Sequence, residues 1–282
     1  MPGSSIIDAL QCEPADTYHA RANEYLSSHR LADFRKCPLL YRRKQLGLIE
    51  DVDRPAYRVG RAAHTLILEG RERFAAAYAT GGPTNPATGQ PYGPRTKAYR
   101  QWADSLDKEV LTESDALLCA QMETGVSANP VAGELLADGV PEGVVRAAYC
   151  AYPCQARIDW VNPEWGIVDL KTADDMTWFE SDARRFGYAH QLAFYRAVLM
   201  AALQANAPAE SPGFCQGTPC VPVYLVAVEK REPYRCGVWR VGEGVLAQAQ
   251  KENEEAIERI KDCEERDEWP TGYEDLRNLD YI

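Results

Sequence analysis

A chain of 282 residues can bury a core without disulfide or metal staples, and 45% apolar with 26% charged residues is a globular rather than a disordered composition. The net charge of −11 argues against a protein that wraps a polyanion over its whole surface, since neutralising phosphates takes lysine and arginine. No apolar run approaches the roughly 20 residues of a membrane span, and Met1-Pro2-Gly3-Ser4-Ser5 lacks the blocks of a secretory signal, so a cytoplasmic protein without membrane contact is expected.

Residues 1–20 show little periodicity and read as a flexible leader; 21–282 read as one domain, helical over 21–140 and carrying a sheet with its helices over 141–282. Ser27-Ser28 can cap a helix bearing Leu31, Phe34, Leu39 and Leu40, interrupted by Pro38. A second helix is predicted from Tyr57 to Tyr78, where Gly60, Ala62 and Ala63 offer a small-residue face and His64 lies one turn beyond Gly60. The glycines and prolines between Thr80 and Thr96 make a long loop, either functional or a mere excursion. Helices should follow over Lys97–Leu111 and Glu113–Ala128, ending before Pro130.

From Val144 the pattern turns to β-prone runs, Val144–Cys150, Gln155–Val161 and Trp165–Lys171, with turns at Pro153 and Asn162-Pro163-Glu164. A long, largely apolar helix is predicted from Trp178 to Gln204, then strands over Val221–Glu229 and Arg235–Val241, then an acidic amphipathic helix over Val245–Arg266. Neither an internal repeat nor a second hydrophobic core is evident. The nine cysteines are scattered without a Cys-x-x-Cys pair, so they are read as reduced, mostly buried core residues, and no iron–sulfur cluster is expected.

Charge is segregated along the chain. Arg35, Lys36, Arg42, Arg43 and Arg61 belong to a basic N-terminal block and are candidates for DNA phosphate contact, whereas acids crowd 252–268. A solvated helix face is the commoner fate of either block.

The chemistry concentrates in Arg157-Ile158-Asp159, Val168-Asp169-Leu170-Lys171-Thr172 and the later Gln191 and Tyr195. Asp169 and Lys171, two apart in a strand, emerge on one face. Asp159 on a neighbouring strand can converge with Asp169 on Mg²⁺, with Mn²⁺ as a substitute, because such ions favour oxygen ligands. Phosphodiester hydrolysis needs a cation, a second positive centre and a placed water, and Lys171 beside the acids supplies the second. Each acid or lysine alone would be read as a surface ion pair; together they are not. Gln191 and Tyr195, at i and i+4, share one helix face, where a buried glutamine must find partners; an ordinary buried Gln with a core Tyr is the alternative.

These motifs resemble the PD-(D/E)XK nuclease superfamily, with Ile158 where a proline is usual. Gly60-Arg-Ala-Ala-His64, together with Trp269-Pro270-Thr271-Gly272-Tyr273, is similar to the RecE-type exonucleases, exodeoxyribonuclease VIII and its phage relatives. The resemblance covers about Tyr18 to Tyr273. It implies an α/β fold of the restriction-endonuclease type, a central mixed sheet flanked by helices with N-terminal helical additions. It also implies a Mg²⁺-dependent, ATP-independent exonuclease acting 5′ to 3′ on linear double-stranded DNA in phage-type recombination, with a single-strand annealing partner and homo-oligomers. By the same resemblance His64 joins Asp159 and Asp169 as a metal ligand, although a lone helical histidine is more often structural. Leu31-Ala-Asp-Phe34-Arg-Lys-Cys37-Pro38 resembles instead a RecB-like repair or CRISPR-associated nuclease, and a non-catalytic DNA-binding protein on the same fold is the third alternative.

Overall fold

The computed structural model describes residues 6–51, 55–206 and 221–278. In the segment expected to be a leader, Ile6–Ala9 forms a 3-10 turn, α1 spans Ala15–Ala20, and Gln11 and Val144 exchange backbone hydrogen bonds of 2.7 and 2.9 Å. Ser27 caps α2 (Ser28–Lys36) by accepting from the Arg30 amide. Cys37 ends that helix and its sulfur accepts from the Leu40 amide, so Pro38 is the first residue of a new helix, α3 (Pro38–Gln45).

The predicted second helix is present as α4 (Pro55–His64), a π-helical turn over Thr65–Glu69, and α5 (Gly70–Ala77). It runs into β1 (Tyr78–Thr80). Past the glycine- and proline-rich loop, α6 (Lys97–Asp104) stops short of the predicted Leu111, because Glu109–Leu111 is β2 and pairs in parallel with β1. Pairing of a β-prone Glu-Val-Leu run outweighs helical continuation there. α7 (Glu113–Ser127) and α8 (Pro130–Leu135) complete the helical part.

The main sheet contains β3 (Val140–Tyr149), β4 (Tyr152–Asn162), β5 (Gly166–Ala173), β6 (Val223–Glu229) and β7 (Cys236–Arg240) in the order β3-β4-β5-β6-β7. Neighbours are antiparallel except β5 and β6, whose parallel pairing requires a crossover. The crossover holds α9 (Phe179–Arg185) and α10 (Tyr188–Asn206). The single helix predicted from Trp178 is thus broken, at Gly187, whose φ of +69° ends the first segment. The last helix, α11 (Glu243–Arg266), buries Leu246, Ala249, Ala256, Ile257 and Ile260 and turns its acids outward.

Two cores result where one was expected. Ile158, Ile167, Val223, Leu225 and Ala227 pack with Phe34, Leu192, Phe194, Val198, Leu199 and Ile257 under α2, α10 and α11. Val168, Leu170, Val226 and Val228 pack with Val59, Ala62, Leu111, Cys119 and Met122 under α4 and α7. Central strands covered on both faces read as continuous apolar runs, and such a run conceals that the sheet divides the core. Only Cys119 and Cys154 of the described cysteines are buried; Cys12 is exposed, and Cys215 and Cys220 lie outside the described residues. Among the described residues no helix is long and apolar enough to cross a membrane.

The turn joining β4 to β5 is held from both sides. Asn162, buried, donates to the Leu135 and Ala137 carbonyls and accepts from the Glu164 and Trp165 amides. Gly166 opens β5 at φ +99°, where an added Cβ would sit 2.4 Å from the Pro222 carbonyl oxygen. Gly166→Ala is therefore expected to cost at least about 2 kcal/mol, since strained backbone and a backbone clash combine. Urea denaturation checks this, and an unchanged midpoint would contradict it.

Candidate active site

The β4–β5 ladder runs from Asn162↔Gly166 to Trp160↔Val168 and stops. Asp159 and Asp169 would be the next pair. The strands part instead, and the Asp159 carboxylate fills the gap by accepting the Leu170 amide at 3.0 Å. On its other side the β3–β4 ladder brings Glu142 opposite Asp159, between the pairs Pro141↔Trp160 and Gly143↔Ile158. Glu142 has φ +52°, a conformation few non-glycine residues adopt outside turns and functional sites.

α4 reaches the same point from the opposite face of the sheet. Gly60 faces Thr172, where an added Cβ would meet the hydroxyl at an ordinary 3.9 Å, and His64 ends the helix just before the π-helical turn. Single π turns are frequent at functional sites because the extra residue re-aims a side chain. His64 Nδ1 lies 3.4 Å from Asp159 Oδ2. Ligand atoms of His64, Glu142 and Asp159 all fall within 4.8 Å of one another.

Asp169 is fully buried, with Oδ2 2.5 Å from Lys171 Nζ. Its Oδ1 is buried without a protein hydrogen-bond partner. Lys171 Nζ rests 4.9 Å from the centroid of the Tyr188 ring. One turn along α10, Gln191 donates to the Tyr195 hydroxyl at 2.8 Å. Burial, reinforced by Asp169 and Asp159, drives the Tyr195 hydroxyl well above its usual range, so it stays protonated.

The electrostatics follow from depth. Burial pushes Asp169 up to about 6, Lys171 opposing the rise and Asp159 adding to it. Burial likewise raises Asp159 against the pull of Lys171 and of the Leu170 amide. Glu142 is pushed up to about 8 by burial and by Asp159, with Arg157, 3.1 Å away, countering. His64 is pushed down to about 4 by burial and by Lys171, so its ring is neutral near pH 7, the form that ligates metals. Against these acids Lys171 is held charged, its pKa raised by Asp169 and Asp159 in spite of burial.

The residues present fit a divalent cation. Glu142, Asp159 and the neutral His64 imidazole gather within 4.8 Å, Arg157 pairs with Glu142, and beside them the Lys171-paired Asp169 keeps one carboxylate oxygen buried without a partner. An oxygen-rich donor set of this kind suits a hard ion such as Mg²⁺ or Mn²⁺. His64→Ala is expected to weaken cation binding at least about tenfold, the loss typical even of residues that only support a ligand. Isothermal titration with Mn²⁺ reads the change; an unaltered isotherm would return His64 to a packing role.

Of the residues singled out in the sequence for the chemistry, His64 and Asp159 converge with Glu142, Asp169 pairs with Lys171 but is not among the ligand atoms gathered within 4.8 Å, and Gln191 is joined to Tyr195 on α10. Glu142 and Arg157 join them without having been assigned a role. The basic candidates are dispersed. Arg35 donates to the Asn253 side chain, tying α2 to α11. Arg42 donates to Gln45 and lies over Trp269, 5.1 Å from the ring centroid, while Arg61 donates to Glu109. Lys36 and Arg43 are exposed.

A mixed five-stranded sheet between helical layers, with an Asp and an Asp-x-Lys on adjacent strands, defines the PD-(D/E)XK nuclease superfamily. Within it the chain belongs to the family described as PDDEXK-like domain of unknown function (DUF3799), whose model matches residues 27–279. The fold is similar to the crystal structure of a protein from Eubacterium rectale designated "Putative exonuclease", with TM-score 0.64 and 14% identity over 95% of this chain and 96% of that one. No curated protein matches the chain.

Proposed function

We propose that the protein is a metal-dependent deoxyribonuclease that hydrolyses phosphodiester bonds at the ends of linear double-stranded DNA. The observation that carries this reading is the convergence of His64, Glu142 and Asp159 within 4.8 Å, beside the buried Asp169–Lys171 pair. His64, Glu142, Asp159 and Asp169 would hold Mg²⁺, which when bound polarises the phosphate and lowers the pKa of a coordinated water.

The chain's own groups do the rest. Lys171, fixed between Asp169 and the Tyr188 ring, presents an ammonium to the negative charge that grows on the phosphoryl oxygens. Tyr195 holds the Gln191 amide, leaving that amide's oxygen to accept from a water or from Lys171. Arg157 steadies Glu142 at 3.1 Å. The low exposure of these side chains excludes bulk water and strengthens each interaction.

The resemblance to RecE-type exonucleases supports a 5′ to 3′ direction and a single-strand annealing partner in phage-type recombination. The fold neighbour's designation as an exonuclease agrees with end-directed hydrolysis. The test is incubation with Mg²⁺ and linear, closed-circular and single-stranded DNA labelled at either end. Loss of label from the 5′ end of linear duplex alone is expected. Cutting of closed circles would replace the reading with an endonuclease, and binding without cleavage would replace it with a DNA-binding role.

A further inference from the structure

The ammonium of Lys171 opens onto a row of rings. Tyr188, 4.9 Å from Nζ at its centroid, is followed by Phe186 at 5.9 Å between centroids and an inclination of 32°. Phe186 carries the Arg185 guanidinium 4.5 Å from its own centroid, and Asp182 holds that guanidinium at 3.1 Å. Tyr188 is anchored from beneath by Phe179, 6.2 Å away, which packs on Trp239 at 4.5 Å. Phe186 has no such burial: it is 56% exposed, and Trp178 at the other end of α9 is 63% exposed.

Scattered exposed aromatics need no explanation. This pair differs in its arrangement, because cation, ring, ring and cation succeed one another outward from the candidate site at stacking distances. A buried peptide segment would leave two cations facing apolar side chains. A single nucleic-acid strand matches the row, since bases stack on rings while phosphates meet the cations. Duplex DNA does not, because paired and stacked bases have no free face to offer.

We infer that Phe186 and Tyr188 form a base-stacking subsite for an unpaired nucleotide adjoining the phosphate at Lys171, with Arg185 toward the next phosphate. The inference rests on the nuclease reading and sharpens it: a duplex end must fray so that the strand being cut enters the site as single nucleotides. Gly187, at φ +69°, makes the turn between the two rings at the α9–α10 junction.

The experiment uses the full chain and a single-stranded oligonucleotide carrying 2-aminopurine, whose fluorescence falls on stacking, titrated in Ca²⁺, with hydrolysis followed separately in Mg²⁺. The wild type should quench the probe. Phe186→Ala should weaken binding roughly 5- to 150-fold, the range for loss of one stacked base, and abolish the quench. Phe186→Trp should restore both, and thermal denaturation should show Phe186→Ala folded. Hydrolysis of linear duplex in Mg²⁺ should show the loss in KM more than in kcat. Binding and quenching by Phe186→Ala equal to wild type would overturn the subsite while leaving the nuclease intact. Quenching that depends on Phe186, with no hydrolysis of any DNA, would keep the subsite and sink the nuclease reading.

Discussion

Lys171→Ala should lower DNA hydrolysis by about 10²- to 10³-fold while cation binding survives, the scale on which removing one preorganised group that stabilises transition-state charge acts. The ammonium lies 2.5 Å from Asp169 Oδ2 and against Tyr188, so it is oriented before substrate arrives. Its removal strips Asp169 of the positive charge that opposes the burial-driven rise in its pKa. At pH 8, above the value of about 6 for Asp169, the ionised acid then depends on a cation more than in the wild type. Calorimetric titration with Mn²⁺ at that pH should saturate with undiminished affinity. Rates in saturating Mg²⁺ equal to wild type would remove Lys171 from the chemical step, and loss of Mn²⁺ binding would make it a structural support of the acids.

Glu142→Gln should weaken cation binding at least about tenfold, by the same measure as for supporting residues, and remove a dependence of stability on pH. The sign comes from the direction of each shift. Glu142, pushed up to about 8, binds its proton more readily folded than unfolded. Its contribution to stability is complete below the unfolded carboxylate value and is lost as pH rises through about 8. Asp169 acts the same way but finishes near 6. His64, pushed down to about 4, contributes stability present above its unfolded value of about 6.5 and lost as pH falls through about 4. Between pH 6.5 and 8 Glu142 thus titrates, whereas Asp169, near 6, and His64, near 4, lie below the window. In chelator the wild type should melt at lower temperature at pH 8 than at pH 6.5, Mg²⁺ should offset the loss at pH 8, and Glu142→Gln should flatten the difference. Cation affinity should rise over the same window in the wild type, because the ion displaces a proton. An unchanged slope in the variant would assign the effect to other groups.

Asp159, Asp169 and Lys171 were legible because strand alternation alone puts the last two on one face and a short turn brings the first alongside. Gln191 and Tyr195 follow from helical spacing. His64 needed more: its helix reaches the acids across the sheet, which no local spacing encodes, and only resemblance to other chains pointed there. Glu142 escaped because the strand was begun at Val144, four residues after its start at Val140 and two past Glu142. Cys150 and Ala151, at φ +52° and +54°, make the two-residue turn that closes the hairpin. Counting seven residues from Tyr149 and from Tyr152 then sets Glu142 against Asp159. Neither residue is a glycine or asparagine, so the turn carried no sequence signal. The bonds that occupy Arg35 with Asn253 on α11 and Gln11 with Val144 are equally long-range, and charge patterning is blind to them.

The hydrogen bond from the Leu170 amide to Asp159 has a further meaning. One oxygen of that acid is tethered to the main chain of its neighbouring strand, so its position is inherited from the scaffold instead of being organised by an incoming ion. A receptor built this way loses little disorder on loading. It also carries its own gauge: a cation drawing electron density from the carboxylate should shift the Leu170 amide resonance before any bond in the substrate breaks.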